Sequence, residues 1–204
     1  MNKLNLISAV ALSAGTLMSS QAVLAYEAGD IFVRAGVAQT DTGSGNGNAA
    51  GLPLNVQSAR GITFGAGYLF TDQVGVELNS SEKFEHDLSL GGAGGIGSVD
   101  RMPVNVLVNY YPMGGLDSKV QPYVGLGLNY TRFSGESTTP DVSVDNSYGV
   151  IGQAGVDLAI TYNIMLNGYV SYADVNADIN AGGAKIGEVD IEPVTVGGGV
   201  TYRF

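Results

Sequence analysis

The sequence predicts an all-β protein, an eight-stranded antiparallel transmembrane β-barrel. The prediction rests on three observations: a strictly alternating C-terminus, an apolar composition without a long apolar helix, and strands joined alternately by short turns and long loops. One face of residues 194–204 is apolar and consists of Val194, Val196, Val200, Tyr202 and Phe204. The other face carries threonine, glycine and Arg203. A strand that is apolar on one side and small or polar on the other is typical of a barrel wall between lipid and a polar lumen.

The composition agrees with this fold class. The mean hydropathy is +0.16 and only 14% of the residues are charged, whereas about 25% are charged in an ordinary soluble domain. The 31 glycines and 11 tyrosines fit small inward positions and aromatic belts. Cysteine is absent, which excludes a disulfide framework and thiol chemistry. We expect no cofactor and no metal, because no cluster has the spacing of His or Cys metal ligands.

The N-terminus has the pattern of a secretory signal peptide. A short cationic start with Lys3 precedes an apolar run over 4–18, and a small-residue cleavage site ends at Ala25. We therefore predict that residues 1–25 are removed by cleavage after Ala25 and that residues 26–204 form the barrel. Loss of Lys3 leaves 8 basic residues against 19 acidic ones, a net charge of −11. Nucleic acid is not an expected partner of such a chain.

Eight segments are predicted to be strands, because each alternates with period two or directly continues a segment that does. The predicted strands are 30–39, 60–70, 74–86, 99–111, 123–133, 148–159, 164–175 and 194–204. Short turns are expected at 71–73, 112–117 and 161–163, and polar outer loops at 40–58, 87–98, 134–146 and 180–187. Aromatic residues near the short turns predict a membrane-interface belt: Tyr68, Phe70, Tyr110, Tyr111, Tyr123, Tyr162, Tyr202 and Phe204. A soluble barrel of lipocalin type is disfavoured, because no face carries the charges that its exterior would need.

Several segments resemble the OmpW family of small outer-membrane proteins. They are Glu27-Ala-Gly-Asp-Ile-Phe-Val-Arg-Ala-Gly36, Tyr110-Tyr-Pro-Met-Gly-Gly115, Gln121-Pro-Tyr-Val-Gly-Leu-Gly-Leu-Asn-Tyr-Thr131, Gly155-Val-Asp157 and Tyr202-Arg-Phe204. The sequence departs from the family pattern at Asn146-Ser-Tyr-Gly149, Ser171-Tyr-Ala-Asp174 and Pro103-Val104. The similarity extends over essentially the whole mature chain.

The resemblance implies an outer-membrane channel of a Gram-negative bacterium for passive uptake of small hydrophobic molecules. These would enter a narrow apolar tunnel from outside and leave sideways through the barrel wall. Expected partners are outer-membrane lipids, lipopolysaccharide and the hydrophobic solutes, and the chain is expected to be a monomer. Val200, Tyr202 and Phe204 look like the signal that the barrel assembly machinery reads. A structural or adhesive barrel without transport is the alternative.

Four charged residues, each flanked by outward-facing neighbours, are expected to point into the lumen: Arg34, Glu77, Asp157 and Arg203. Because unpaired buried charge is costly, they should pair with one another. Two interpretations stay open, a polar plug that closes one end of the barrel and plain packing of a narrow lumen.

Pro103 and Pro193 are candidates for a lateral exit, since proline removes a hydrogen-bond donor from a strand ladder. A strand end or a bulge is the other interpretation, particularly for Pro193. Five residues in or beside the outer loops are candidates for a hydrophobic mouth: Leu54, Val56, Leu88, Leu90 and Tyr148. Catalysis is not expected, because the single histidine, His86, stands between acidic residues with only Ser81 and Ser89 as nominal nucleophiles.

Overall fold

The computed structural model describes residues 26–41, 47–49, 52–56, 58–82, 84–90, 94–134, 142–144, 146–181 and 184–204. These residues form strands and turns. Within them, no helix is long and apolar enough to cross a membrane. The predicted signal peptide, residues 1–25 with cleavage after Ala25, lies outside the described residues and stays a prediction.

The strands of the described residues are β1 (Ile31–Asp41), β2 (Gly47–Ala49), β3 (Leu52–Val56), β4 (Ala59–Leu69), β5 (Val74–Ser81), β6 (Phe84–Leu90), β7 (Gly94–Tyr110), β8 (Val120–Ser134), β9 (Val142–Val144), β10 (Ser147–Ala159), β11 (Ile164–Ala173), β12 (Val175–Ala181), β13 (Ala184–Ile191) and β14 (Val194–Arg203). Eight of them form a closed antiparallel ring in the order β1, β4, β5, β7, β8, β10, β11, β14. This ring confirms the predicted eight-stranded barrel.

The first and last strands of the chain meet to close the ring. β1 pairs with β14 from Phe32 opposite Arg203 to Asp41 opposite Val194. A closed barrel leaves no unpaired sheet edge inside the hydrocarbon layer, where free backbone groups find no water. The apolar C-terminal strand is therefore the partner that completes the wall.

Side chains alternate between the two sides of the wall, as the period-two pattern predicts. On β4, Ile62 and Phe64 are about half exposed on the outside, whereas the intervening Thr63 faces inward. The outer face is apolar and includes Val37, Leu78, Val108, Leu126, Leu128, Val150 and Leu166. The buried inner face is largely polar and includes Asn105, Asn109, Asn129, Gln153 and Thr201. Such a polarity is suited to lipid outside and a polar interior.

The described residues of the outer segments are largely strands, which corrects the prediction of four polar loops. β2 and β3 lie within 40–58, the end of β6 and the start of β7 within 87–98, and β9 within 134–146. β12 and β13 form a hairpin across 180–187. Period-two runs in these Gly-, Asn- and Ser-rich segments are short, but the backbone groups still pair when neighbouring strands hold them in register. We call β2, β3, β6, β9, β12 and β13 the outer extension.

The aromatic belt lies at the short-turn end, where it differs from the prediction at two positions. Two pairs of rings pack edge to face on the outer wall, Tyr68 with Phe70 and Tyr202 with Phe204. Tyr111 and Tyr123 are instead buried inside the barrel. Tyr111 follows the outward-facing Tyr110 and Tyr123 precedes the outward-facing Val124, so alternation turns both rings inward.

Candidate functional site

A buried ionic cluster lies in the lumen near the short-turn end, with Arg34 of β1 at its centre. Arg34 Nη1 lies 2.6 Å from Glu77 Oε2 on β5, and Arg34 Nη2 lies 2.6 Å from Asp157 Oδ2 on β10. The three side chains are at most 9% exposed. Arg34 on β1 is therefore linked across the lumen to β5 and β10 by two charge-assisted hydrogen bonds. Such bonds are stronger than hydrogen bonds between neutral groups.

Neutral groups complete the hydrogen bonding of both carboxylates. Asn109 Nδ2 donates to Glu77 Oε2 at 2.6 Å. Asp157 accepts further hydrogen bonds from three side chains: Tyr26 Oη at 2.9 Å, Asn167 Nδ2 at 2.9 Å and Thr201 Oγ1 at 3.2 Å. Burial of a carboxylate is tolerated when its oxygen atoms have donors around them. The cluster is consequently a fixed structural unit of the lumen.

Four aromatic rings pack beneath and around Arg34. Tyr26 contacts Phe32 and Tyr111 with ring centroids at 5.6 and 4.7 Å, and Tyr111 contacts Tyr123 at 5.3 Å. The Arg34 guanidinium lies 4.6 Å from the Phe32 ring and 4.8 Å from the Tyr123 ring. Together with Arg34, Glu77 and Asp157, these rings fill the short-turn end. We call this set of seven side chains the floor.

Tyr26 reaches the floor from a segment that precedes the first strand. Its carbonyl accepts a hydrogen bond from Gly115 N at 2.9 Å, and nearby Ala28 N donates to Asp72 Oδ1 at 2.9 Å. Burial, together with the Asp157 carboxylate, raises the pKa of Tyr26 well above its ordinary value. The hydroxyl thus stays protonated and donates to Asp157.

Arg203 lies inside the barrel, as expected, but the structure does not place it in the Arg34 cluster. Arg203 Nη2 donates to Tyr162 O at 2.7 Å, and Arg203 Nη1 lies 3.4 Å from Asp30 Oδ2. Asp30 belongs to the turn before β1. Its ion pair with Arg203 therefore links the end of β14 to the start of β1. Both expected anions therefore bind Arg34, and Arg203 has Asp30 as a separate partner.

Above the floor is a cavity of about 70 Å³. Arg34 and Glu77 line its base, and its wall combines side-chain amides and hydroxyls with apolar groups such as Pro103, Ile151 and Ala173. One row of amides crosses three strands: Asn129 Nδ2 donates to Asn105 Oδ1 at 2.5 Å, and Asn105 Nδ2 donates to Asn79 Oδ1 at 2.8 Å. A row of polar side chains thus crosses this part of the lumen, and the narrow apolar tunnel that the family resemblance implied stays a prediction.

The β5–β7 ladder ends beside this cavity, at Pro103. Tyr111 N donates to Gln73 O at 2.8 Å, and hydrogen-bonded pairs recur at every second residue of an antiparallel ladder. The same alternation directs the nitrogen of residue 103 towards Ser81 O, but proline has no N–H. Pairing between β5 and β7 accordingly stops at Ser80 opposite Val104.

The interruption is short. On the other edge of β5, Glu82 N continues the pairing with β4 by donating to Ile62 O, and β6 pairs with β7 again from Phe84 opposite Arg101. The Ser80 hydroxyl donates to Pro103 O at 2.7 Å. We call this break in the β5–β7 ladder, at Met102 and Pro103, the seam.

The other predicted site residues occupy different places. Pro193 lies between β13 and β14, and its carbonyl accepts a hydrogen bond from Ala173 N at 3.2 Å. Tyr148 is 79% exposed on the outer wall, where its ring packs against Tyr130 at 4.9 Å, so it does not line a mouth inside the barrel. Alternation explains this position, because its neighbour Ser147 faces inward.

The remaining mouth candidates belong to the outer extension. Leu54 is the Cα partner of Leu90, and Val56 is the Cα partner of Leu88. Their side chains lie outside the part of the chain that the structure describes, so the predicted hydrophobic mouth stays a prediction. The residues of the predicted assembly signal, Val200, Tyr202 and Phe204, are exposed on the outer wall.

A closed eight-stranded barrel with an apolar outer face, an aromatic belt and a polar, nearly filled interior is an outer-membrane β-barrel. The chain belongs to the OmpW family, whose profile matches residues 27–204. It is 34% identical to outer membrane protein W of Escherichia coli (strain K12), over 97% of this chain and 99% of that protein. These findings confirm the resemblance inferred from the sequence motifs and the location in the outer membrane of a Gram-negative bacterium.

Solved structures show the same fold. The crystal structure of the outer membrane protein OprG from Pseudomonas aeruginosa superimposes with a TM-score of 0.78 at 30% identity, covering 88% of this chain and 98% of OprG. The solid-state NMR structure of the outer membrane protein AlkL superimposes with a TM-score of 0.66, covering 95% of this chain and 97% of AlkL. AlkL is only 17% identical, so its likeness concerns the fold alone.

Proposed function

We propose that this protein is a passive channel that carries small hydrophobic molecules from the cell exterior into the outer membrane. Solutes enter through the outer extension and leave sideways at the seam, and no covalent chemistry is involved. The observation that carries the proposal is the break in the β5–β7 ladder at Pro103, beside a cavity whose far end is closed. Membership of the OmpW family supports the same class of function.

The floor favours a sideways route over a straight one. The short-turn end, which faces the periplasm in barrels of this kind, is filled by Arg34, its two carboxylate partners and four packed rings. A solute that continued downwards would have to separate these ion pairs, and breaking a buried pair costs about 3–5 kcal/mol. At the seam, by contrast, a backbone hydrogen bond is already missing.

An uptake assay tests this function. The purified protein is inserted into vesicles whose outer leaflet is lipopolysaccharide, and the entry of radiolabelled hexane and radiolabelled glucose is followed over time. We expect the protein to accelerate the entry of hexane and to leave the entry of glucose nearly unchanged, because the floor closes the aqueous path. Vesicles that contain heat-unfolded protein are the control.

Equal hexane entry with folded and unfolded protein would contradict the proposal and favour a structural or adhesive barrel. Faster entry of both probes would show an open aqueous pore, which is incompatible with a closed floor. The proposal needs a single chain only, so we expect monomers in detergent. Lipopolysaccharide and the barrel assembly machinery are the further partners that it assumes.

A further inference from the structure

We propose that the cavity above the floor binds the polar head group of the transported molecules. The solutes are then uncharged amphiphiles, with one hydroxyl or primary amide group on a short apolar chain. This inference rests on the proposed function and narrows its substrate class from hydrophobic to amphipathic. It concerns the space between the floor and the seam, which every solute on the sideways route must cross.

The lining of the cavity is the first reason. Its wall includes the side chains of Thr63, Asn79, Ser81, Asn105, Asn129 and Gln153. Asn79, Asn105 and Asn129 already hydrogen-bond to one another, but each amide has further donor or acceptor sites, and a pure hydrocarbon can bond to none of them. A solute with one hydrogen-bonding group can supply such a bond.

Ser81 is the second reason, because it offers both a hydrogen-bond donor and a hydrogen-bond acceptor at the seam. Its side chain is 2% exposed and lines the cavity, and its hydroxyl has no hydrogen-bond partner among the described residues. Its carbonyl oxygen faces β7 where Pro103 has no N–H, and the Ser80 hydroxyl lies 3.5 Å from that oxygen. A buried group without its partner is costly, so a ligand that supplies one is favoured.

A hydroxyl or primary amide complements this pair of groups. It can accept a hydrogen bond from the Ser81 hydroxyl and donate one to the Ser81 carbonyl oxygen. The apolar chain of the solute then extends through the seam, where the outward-facing neighbours are Val104 and the half-exposed Leu78. The head group is thus held inside the barrel while the chain reaches lipid.

The charge of the floor and the bonding capacity of Ser81 together favour a neutral head group. Arg34 faces two carboxylates, Glu77 and Asp157, which gives the cluster a net charge of −1 when all three are ionised. A carboxylate head group would be repelled by this excess negative charge. An ammonium group has donors only, so it can bond to the Ser81 carbonyl oxygen but gives the Ser81 hydroxyl no acceptor.

Matched six-carbon probes test the inference in the lipopolysaccharide vesicles: 1-hexanol, hexanamide, hexane and hexanoate. For the intact protein, we expect the protein-dependent entry of 1-hexanol and hexanamide to saturate at lower concentration than that of hexane. Ser81→Ala should reduce the entry of the two polar probes roughly threefold to tenfold at low concentration, the range for one lost hydrogen bond. The entry of hexane should not change.

Two variants control for structural effects. Ser147→Ala removes another buried inward hydroxyl without a partner among the described residues, outside the cavity lining, and should leave all probes unchanged. Ser81→Thr retains a hydroxyl and should keep most of the preference for 1-hexanol. Folding of each variant is checked by its heat-dependent migration on a detergent gel.

The outcomes separate the two proposals. If hexane enters faster with protein but 1-hexanol shows no preference, or if Ser81→Ala and Ser147→Ala behave alike, the head-group site is refuted and the channel function stands. If no probe enters faster with protein than without it, both proposals fail. Faster entry of hexanoate than of 1-hexanol would also contradict the charge argument.

Discussion

Replacement of Asp157 by alanine is expected to lower the free energy of unfolding of the barrel by about 3–5 kcal/mol, the cost of breaking a buried ion pair. Asp157 is fully buried and binds Arg34, while its remaining lone pairs accept from Tyr26, Asn167 and Thr201. The substitution leaves four donors without their acceptor inside a space that the floor closes. Urea unfolding in lipid vesicles, followed by circular dichroism, measures the change.

A matched control and a double variant complete this test. Asp117→Ala removes a carboxylate from the exposed turn between β7 and β8 and should change stability by less than about 0.5 kcal/mol. Glu77→Ala combined with Asp157→Ala leaves Arg34 without either carboxylate and should let glucose leak into the vesicles. A double variant that stays as stable and as impermeable to glucose as the wild type would show that the cluster does not close the barrel.

Pro103→Ala is expected to abolish most of the protein-dependent entry of hexane while the barrel stays folded. The alanine N–H can donate to Ser81 O, which extends the β5–β7 ladder across the seam. The new backbone bond contributes about 0.5–1.5 kcal/mol. Loss of the proline constraint in the unfolded chain offsets about 0.4–1 kcal/mol of this. Transport, rather than stability, is therefore the quantity that reports on the seam.

Pro122→Ala provides the matched control for that substitution. Pro122 lies at the short-turn end of β8, and the pairing of β8 with β7 begins two residues later, at Val124 opposite Tyr110. An N–H restored at this position has no partner on β7, so hexane entry should stay at the wild-type rate. An equal loss of hexane entry in both variants would indicate that proline acts through general barrel stability. Normal hexane entry through Pro103→Ala would exclude the seam as the exit.

The wall of the barrel was predictable from the sequence, because lipid on one side and a polar lumen on the other impose a period of two. Arg34, Glu77 and Asp157 were assigned to the inner face on that basis, and the structure places them there. The outer extension was not predicted, because its alternating apolar runs, such as Leu52, Leu54 and Val56 on β3, are short and stand among Gly-, Asn- and Ser-rich segments. Their pairing follows from the strands that they continue.

The partners within the floor were not predictable from alternation alone. Which inward residues meet across a barrel depends on the stagger between strands, and this quantity is not encoded in the period of any single strand. The sequence therefore indicated four inward charges, but not that Arg34 would bind both carboxylates while Arg203 lies beside Asp30. Tyr26 gave no signal, because it precedes the first strand and has no alternating neighbours.

The exit route is tested most directly by a covalent bridge across the seam. The chain has no cysteine, so Glu82→Cys with Met102→Cys introduces one pair of thiols at the break, one directly after β5 and one on β7. A control pair, Met102→Cys with Arg132→Cys, bridges β7 to β8 where the two strands are already paired. A short bis-maleimide links each pair even where the separation is too large for a disulfide.

The lateral-exit account predicts that linking residues 82 and 102 reduces hexane entry to the rate of vesicles without protein. Linking residues 102 and 132 should leave entry unchanged, and both variants should transport normally before the reagent is added. Undiminished entry through the barrel linked at 82 and 102 would contradict the account, because the solute would then leave without opening the wall between β5 and β7.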